Sequence, residues 1–424
     1  MLTRKPRYAI WIAALITSGA IQYMLPAILA TLAGAVTYWR IPDTFIDAAG
    51  PERYLKDIVT FGFAIYWPMV AKPRTEVVLY IIWIMVLTAI GMIAYILNTG
   101  YLPFIIAGIR WITVLHDSFG IYILIDQYGV TKNNQRLILG VALFWLACSL
   151  VASYIQFSYH GNFSSVGSSR EPGIFSLAGV NGYYAASVAV IAMASRHATV
   201  LKWLGYLFGI LIGVLSGTRF TILCILVIIF LDNLKRLRRF PIFRVFIYST
   251  VLPSVLLLSI FAAGSLSGRG DVVNDQMQDG GRLGNGSQVV QLLVQTGDFT
   301  DLTVGRGLGQ GTNGAMQMVK DGQEIPKWQI LVDNTFITSF IQFGLIGFVW
   351  LFGGIFLFLW SRRAELYLPF YLIVLISLLT QNVFEQLFWM LSIAYYLGSS
   401  KYFHKLRQYR PTADATLRAA ASPV

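Results

Sequence analysis

Residues 77–97 read VVLYIIWIMVLTAIGMIAYIL and contain no charged side chain. An uncharged apolar stretch of about 20 residues has the length that an α-helix needs to cross a lipid bilayer. In lipid, the backbone N–H and C=O groups have to be satisfied within the segment, so such a stretch forms a helix. This stretch therefore predicts a membrane-spanning helix, and the rest of the chain can be read outward from it.

The composition of the whole chain has the same character. Hydrophobic residues make up 56% of the 424 residues and charged residues only 12%, whereas an average soluble domain carries about a quarter charged residues. We predict an all-α polytopic membrane protein with about twelve transmembrane helices. The predicted spans are residues 8–39, 55–71, 77–97, 101–125, 137–157, 178–195, 200–215, 218–232, 242–263, 334–360, 366–381 and 384–399. The first run is overlong and contains Pro26, so it forms either two short helices or one kinked helix.

One long hydrophilic stretch, residues 264–333, interrupts the apolar runs. It is the one stretch large enough to form a working surface outside the lipid, and residues 287–294 within it have the apolar spacing of a short surface helix. The sequence therefore predicts transmembrane helices in residues 1–263, an external loop at 264–333, further transmembrane helices in 334–400 and a cytoplasmic tail at 401–424.

The basic residues set the predicted orientation, because cytoplasmic loops of membrane proteins carry an excess of Lys and Arg. The net charge of +12 comes from residues that cluster in the short gaps between spans, which favours a topology signal over nucleic-acid binding. Both chain termini are then cytoplasmic. The residues assigned to the cytoplasm include Arg4, Lys5, Arg7, Lys72, Arg74, Lys132, Arg136, Arg196, Lys202, Lys235, Arg236, Arg238, Arg239, Arg362, Arg363, Lys401, Lys405, Arg407 and Arg410.

Four arginines lie on the opposite, external side in this topology: Arg170, Arg219, Arg282 and Arg306. Arg219 follows the short turn 216–218, so it must sit at the head of a helix. Guanidinium groups bind phosphate oxygens in pairs of hydrogen bonds and stay charged when partly desolvated. A converging set of them would suit a lipid-linked diphosphate. For each arginine taken alone, snorkelling to the interface or pairing with a nearby carboxylate explains its position equally well.

Three carboxylates are candidates for orienting an acceptor hydroxyl and accepting its proton. Asp333 is the first, because it closes the external stretch directly before an apolar run; helix N-capping is the alternative role at that position. Glu171 is adjacent to Arg170, and simple ion pairing is its alternative. Glu385 lies in the polar turn between the last two spans and either borders an external cavity or belongs to a solvated turn.

The glycines of residues 305–314, together with Asn313, are candidates for bringing backbone N–H groups close to a phosphate. Flexibility is the commoner meaning of such a loop.

Three residues that can carry a charge near neutral pH, Arg110, His116 and Asp117, lie inside the apolar run 101–125. His116 and Asp117, which share that run with Arg110, are expected to satisfy one another inside the helix bundle, unless the group is functional. The sequence contains no Asp-x-Asp pair and no His-rich cluster, so we predict no metal site.

Several of these residues lie in motifs that resemble the O-antigen ligase and polymerase superfamily. The resemblance runs from about residue 165 to 350, and the first spans share only hydropathy with that superfamily. The motifs are Arg170-Glu171-Pro172-Gly173-Ile174-Phe175 followed by Asn181-Gly182, the turn Ser216-Gly217-Thr218-Arg219, Gly281-Arg282-Leu283 at the start of an external-loop helix, the glycine-rich Gly305-Arg306-Gly307-Leu308-Gly309, and Asp333-Asn334-Thr335-Phe336 leading to Gly344-Leu345-Ile346-Gly347.

The resemblance implies an inverting, metal-independent glycosyltransferase with a GT-C-like helical fold and no cofactor. Such an enzyme transfers a glycan from an undecaprenyl-diphosphate carrier to an acceptor at the external face of the bacterial inner membrane, with the diphosphate as leaving group. Ligases of the superfamily typically have His followed by Asn where this chain has Asp333, so the polymerases are the nearer relatives. The expected partners are the carrier-linked oligosaccharide, the lipid bilayer and a chain-length regulator or export complex.

The residues and the resemblance together define a candidate site. An O-antigen ligase that transfers glycan to lipid A core is the first alternative function. A lipid-linked oligosaccharide transporter or flippase is the second: it predicts a cavity at the membrane midplane, whereas an enzyme predicts one external pocket. The candidates are Asp333, Arg282 and Glu171 for catalysis, Arg170, Arg219, Arg282 and Arg306 for diphosphate binding, and Asn181, Asn313, Asn334 and Glu385 for substrate binding.

Overall fold

The computed structural model describes the chain as a set of helices. Helices account for 87% of the described residues, which contain no strand, so the predicted all-α fold is confirmed for this part of the chain. The described residues are 5–19, 52–98, 102–158, 173–174, 178–195, 198–234, 291, 295, 297–312, 334–360, 370, 373–374, 384 and 386–402.

Most described helices lie on a predicted apolar run, and their ends agree with the predicted ends to within about five residues. Helix α1 differs, because it ends at Thr17 whereas the predicted run 8–39 continues to residue 39. The short helix α9 is the exception, because it lies in the hydrophilic stretch. The helices are α1 Lys5–Thr17, α2 Glu52–Val70, α3 Thr75–Leu97, α4 Leu102–Tyr128, α5 Lys132–Ser158, α6 Ala178–Ala194, α7 Thr199–Leu215, α8 Arg219–Leu234, α9 Phe299–Val304 and α10 Thr335–Trp360, followed by α11 at residues 387–402.

Four of the described helices are long and apolar enough to cross a membrane. They are Thr75–Leu97, Phe104–Tyr128, Lys132–Ile155 and Thr335–Trp360. Large apolar side chains such as Met85, Ile96 and Trp350 are exposed on α3 and α10, which is the kind of surface that lipid covers and water does not. The described helices therefore indicate a membrane protein.

The helices pack in two groups that share α1. In the first group, α3 packs against α4, α9 and α10, and α2 packs against α4. In the second group, α6 packs against α5, α7 and α8. Helix α1 contacts α2 and α4 on one side and α5 on the other. The apolar window of α4 is 72% buried and that of α10 only 22%, so α4 is an interior helix and α10 a peripheral one.

Charged residues mark one end of the first group. The Lys401 ammonium of α11 lies 2.9 Å from the Asp126 carboxylate and 2.8 Å from the Tyr122 hydroxyl of α4. Arg74, just before α3, lies 3.2 Å from the same carboxylate of Asp126. We call this the Lys401 end, and we call the opposite end, where α3 finishes, the Asn98 end. The basic-residue topology puts Arg74 and Lys401 on one side, in agreement with their shared partner.

Candidate functional site

The glycine segment, residues 305–311, enters the bundle between α3, α4 and α10 at the Asn98 end. The backbone N–H of Arg306 donates to the carbonyl oxygen of Ile341 at 2.8 Å, and that of Gly307 donates to the carbonyl oxygen of Gln342 at 3.1 Å. Both acceptors lie inside α10. The segment is therefore attached by its backbone to the first third of an apolar helix.

A break in α10 makes these two acceptors available. Gly344 leaves the helical conformation with φ 58° and ψ −166°, in the left-handed region that favours glycine. In an unbroken helix, the carbonyl oxygens of Ile341 and Gln342 would accept from N–H groups four residues further on. The break releases them to accept from the glycine segment. Because an unsatisfied backbone group in lipid costs several kcal/mol, the break and the segment depend on each other.

Close packing holds the glycine segment against α3 and α4. Leu308 is fully buried and fills a notch between Gly91 and Gly108, where a Cβ atom would come within 2.7 Å and 2.6 Å of the leucine side chain. Gly309 has φ +85° and lies against the carbonyl group of Phe104, with no space for a Cβ atom. The glycines of this segment are thus required by contact geometry.

Side chains complete the attachment. The Asn98 amide, at the end of α3, donates to the carbonyl oxygen of Gly305 at 3.1 Å. The Gln342 side-chain oxygen accepts the N–H of Gly309 at 2.9 Å. With the N–H of Leu308 donating to the carbonyl of Gly91 at 3.3 Å, the N–H groups of residues 306–309 all donate to protein acceptors. The structure therefore uses this backbone to build the fold, where the sequence predicted a flexible loop or N–H groups directed at a phosphate.

Arg306, one of the four arginines predicted to be external, is almost completely buried. Its guanidinium group lies 3.0 Å from the carboxylate of Asp301 in α9. Gly305, with φ +87°, ends α9 directly before it. Of the interpretations open from the sequence, the structure shows pairing with a carboxylate. Asp301 was not among the candidate residues; its position five residues before Arg306 was the available signal.

A second polar group, which we call the Asn181 corner, joins α5 and α6. The Ser149 hydroxyl donates to the Asn181 side-chain oxygen at 2.7 Å, and the Asn181 amide donates to the Ser153 hydroxyl at 3.0 Å. Asn181 is fully buried. The structure therefore places this predicted substrate-binding residue in the packing between two helices, and the serines that hold it were not predicted.

Two of the motifs meet at the Asn181 corner. Gly182 lies so close to the Thr218 and Thr221 side chains that a Cβ atom would overlap them. Thr218 belongs to the turn that precedes Arg219, and Arg219 is the first residue of α8, as predicted; its side chain lies outside the described residues. A Cβ atom on Gly173 would also come within 2.8 Å of the Asn181 amide nitrogen, so the end of the Arg170 motif lies here too.

Aromatic contacts connect the glycine segment with the Asn181 corner. Trp111 of α4 contacts Phe343 of α10 with ring centroids 5.5 Å apart, and Phe384 with centroids 4.7 Å apart. Phe388 of α11 contacts Tyr184 of α6 at 5.4 Å. Phe343 follows Gln342, and Tyr184 lies about one turn after Asn181. The two groups are therefore tied across the bundle through residues 384 and 388.

Asn334 caps α10. Its side-chain oxygen accepts the N–H of Phe336 at 2.9 Å and the N–H of Ile337 at 3.2 Å. The capping role that the sequence left open for Asp333 is thus performed by the next residue, which was predicted to bind substrate. The remaining candidates lie outside the described residues: Arg170, Glu171, Arg282, Asn313, Asp333 and Glu385.

The charged group inside α4 is arranged differently from the prediction. Arg110 pairs with Asp57 of α2. His116 Nε2 donates to the carbonyl oxygen of Ala64 at 3.2 Å, and Asp117 has no hydrogen-bond partner in the described part of the chain. The prediction that His116 and Asp117 satisfy one another was wrong, because consecutive helix residues point about 100° apart.

An open groove of about 410 Å³ lies between α3 and α4. It reaches the middle of both helices, and His116 is the one ionisable residue in its lining. The lining residues are Ile84, Met85, Thr88, Ala89, Met92, Ile112, Thr113 and His116.

Comparisons with known proteins do not assign the chain to a family. No protein-family model matches the chain, and no curated protein sequence matches it. The functional interpretation therefore depends on the residues and their arrangement.

Proposed function

We propose that the chain is a polysaccharide polymerase, an inverting glycosyltransferase that extends a glycan on undecaprenyl diphosphate. In this proposal it has a GT-C-like fold of about twelve transmembrane helices in the bacterial inner membrane. Its termini are cytoplasmic, and the loop 264–333 is external. It acts on carrier-linked repeat units, and a chain-length regulator or export complex is its expected protein partner.

The observation that carries the proposal is the pairing of the motifs in space. Gly182, which follows the Arg170 motif, lies against Thr218 of the turn before Arg219. Gly305 of the glycine segment lies against Gly344 in α10. Motifs that lie far apart in sequence, yet contact one another in pairs, are typical of a site built from several segments. The aromatic contacts of Trp111 and Tyr184 link the two pairs.

Arg219 is the residue to which we assign most of the diphosphate binding. It begins α8, and the N-terminus of a helix favours an anion through its unpaired N–H groups and its dipole. A guanidinium group at that position adds two parallel donors for diphosphate oxygens. Arg170 and Arg282 complete the assigned set. Arg306 stabilises the nearby backbone through Asp301 and reaches the diphosphate only by exchanging that partner.

Asp333 is the residue to which we assign the base, with Glu171 as the second candidate. Because Asn334 performs the capping, the Asp333 carboxylate is not required for the start of α10. A carboxylate that orients the acceptor hydroxyl and accepts its proton allows attack opposite the departing diphosphate. The ligase remains the first alternative, since it differs in the acceptor and not in the donor chemistry.

A transporter of lipid-linked oligosaccharide is the second candidate function. The groove between α3 and α4 favours it, because this groove lies at mid-helix depth and holds an ionisable residue, His116. Transporters bind their substrates near the bilayer midplane. Movement of the carrier across the membrane without any change in glycan length would distinguish this candidate from the polymerase.

Purified protein incubated with a defined undecaprenyl-diphosphate oligosaccharide tests the proposal. We expect lengthened glycan and released undecaprenyl diphosphate from the wild type, and loss of both from Arg219→Ala. Arg136→Ala is the matched control, because Arg136 is an exposed arginine at the start of α5 and is assigned to the cytoplasmic side. Wild-type polymer lengths from Arg219→Ala would count against the site, and transfer of the glycan to lipid A core alone would identify a ligase.

A further inference from the structure

Asp117 is the most unusual polar residue in the described part of the chain. It lies near the middle of the apolar helix α4, is completely buried, and neither of its carboxylate oxygens has a hydrogen-bond partner among the described residues. An isolated carboxylate in an apolar interior is strongly disfavoured relative to the neutral acid. The surroundings must therefore supply a positive charge or a proton.

Among the described residues, the charged groups around α4 supply no positive charge at this position. The Arg110 guanidinium pairs with Asp57 of α2. Lys401 and Arg74 gather on Asp126, which lies nine residues further along α4, or about 13 Å at 1.5 Å per residue. The described cations that pack against this helix are thus engaged with other carboxylates.

Neutral polar groups collect around His116, the residue directly before Asp117. The Trp67 indole N–H, the Tyr80 hydroxyl and the Nδ1 of His116 are also buried with no hydrogen-bond partner in the described chain. The His116 ring lies 4.8 Å from that of Trp67 and 5.8 Å from that of Tyr80, between centroids. A concentration of unsatisfied polar atoms on three helices is typical of a functional site.

The groove between α3 and α4 gives this cluster a path to the surface. His116 lines the groove and contacts Tyr80 and Trp67 on its inner side. The carbonyl oxygen of Ala64 can only accept a hydrogen bond, so His116 Nε2 carries the proton and the Nδ1 of the neutral ring keeps a lone pair. A proton acceptor therefore lines the groove at the residue directly before Asp117.

We propose that Asp117 is a proton-binding site inside the membrane, with His116 at its entrance. The bound proton resides on the Asp117 carboxyl group at neutral pH and exchanges with the surroundings through the His116-lined groove. The proposal is independent of glycosyl transfer, because none of its residues belongs to the set assigned to the diphosphate or the acceptor.

Infrared spectroscopy of the full-length protein in lipid nanodiscs tests the proposal. We expect a C=O stretch of a protonated carboxyl group that shifts in deuterated buffer, and we expect Asp117→Asn to lose it. Asp298→Asn is the matched control, since Asp298 is exposed and should leave the band unchanged. His116→Gln should keep the band but slow its shift after transfer to deuterated buffer.

Each other outcome overturns part or all of the proposal. If the wild type has no such band, Asp117 is ionised and the site is not a proton site. If the band appears only when sodium ions are removed, the site binds a metal cation. If Asp117→Asn fails to fold, Asp117→Glu provides the test, because it should move the band and not abolish it. An unchanged exchange rate in His116→Gln would remove His116 from the entrance.

Discussion

The glycine segment and the Asn181 corner each join distant parts of the chain, but they do so by different means. The glycine segment is held by backbone hydrogen bonds to a broken helix and by contacts that leave no space for a Cβ atom. The Asn181 corner is held by one amide and two hydroxyl groups. Adding a single Cβ atom to the glycine segment should therefore disrupt the whole segment. Removing single hydrogen bonds from the Asn181 corner should instead weaken it step by step.

The largest loss of folding stability is expected for Gly309→Ala. The substitution forces a side chain into the left-handed region and against the Phe104 carbonyl group, so strain and overpacking together should cost about 4 kcal/mol. Thermal unfolding of the purified protein in detergent measures the loss. Gly353→Ala in α10 is the control, because a Cβ atom there meets nothing within 4 Å. Similar melting temperatures for both variants would show that close packing does not hold the glycine segment in place.

The next largest loss of folding stability is expected when the ion pair between Arg306 and Asp301 is broken. Removing either partner breaks a largely desolvated ion pair, and we expect a loss of about 3 kcal/mol for Arg306→Ala or Asp301→Ala. The double variant should lose less than the sum of the two single variants. A double-mutant cycle on unfolding free energies checks this coupling. Additive losses would mean that the pair contributes nothing beyond its separate side chains.

The Asn181 corner should give a smaller and graded response. Asn181→Ala leaves the two serines that bind it without this partner, which should cost about 2 kcal/mol. Ser149→Ala and Ser153→Ala should each cost less than Asn181→Ala in the same unfolding experiment. If one serine variant unfolds as readily as Asn181→Ala, the corner behaves as a unit, and the contrast with the glycine segment disappears.

The smallest effect on stability is expected at the start of α10. Asn334→Ala removes the cap and should cost about 1 kcal/mol, whereas Asn334→Asp keeps a capping oxygen. Asp333→Asn should leave the melting temperature unchanged and reduce polymer formation in the glycan assay. The substitutions at Asn334 and Asp333 therefore test capping and catalysis separately. A loss of stability in Asp333→Asn with normal polymer would reverse the two assignments.

The positions of the helices could be predicted from the sequence because burial in lipid requires uninterrupted apolar runs. Residues 178–195 and 200–215 correspond closely to α6 and α7 for this reason. The break at Gly344 could not be predicted, since glycine is common in apolar helices and the distinguishing event is a contact with a segment more than thirty residues away. Gln342, a polar residue inside an apolar run two positions earlier, was the local signal.

The partners of individual polar groups were less predictable than the helices. The spacing along the sequence suggested that His116 and Asp117 belong together, but the pairing of Arg110 with Asp57 depends on how α2 packs against α4. Asn334 and Asp333 are both good capping residues, and only the observed N–H contacts distinguish them. Such choices are decided by distances of a few ångströms between helices, which one sequence does not encode locally.

The broken helix α10 bears on the order in which the ribosome and the membrane build this protein. The glycine segment is synthesised before α10, and Leu308 finds its notch between two helices that have already been translated. When α10 emerges, it inserts as an apolar helix whose carbonyl groups at residues 341 and 342 still lack their final donors. The hydrogen bonds between the glycine segment and α10 can therefore form only after residues 341 and 342 have been translated.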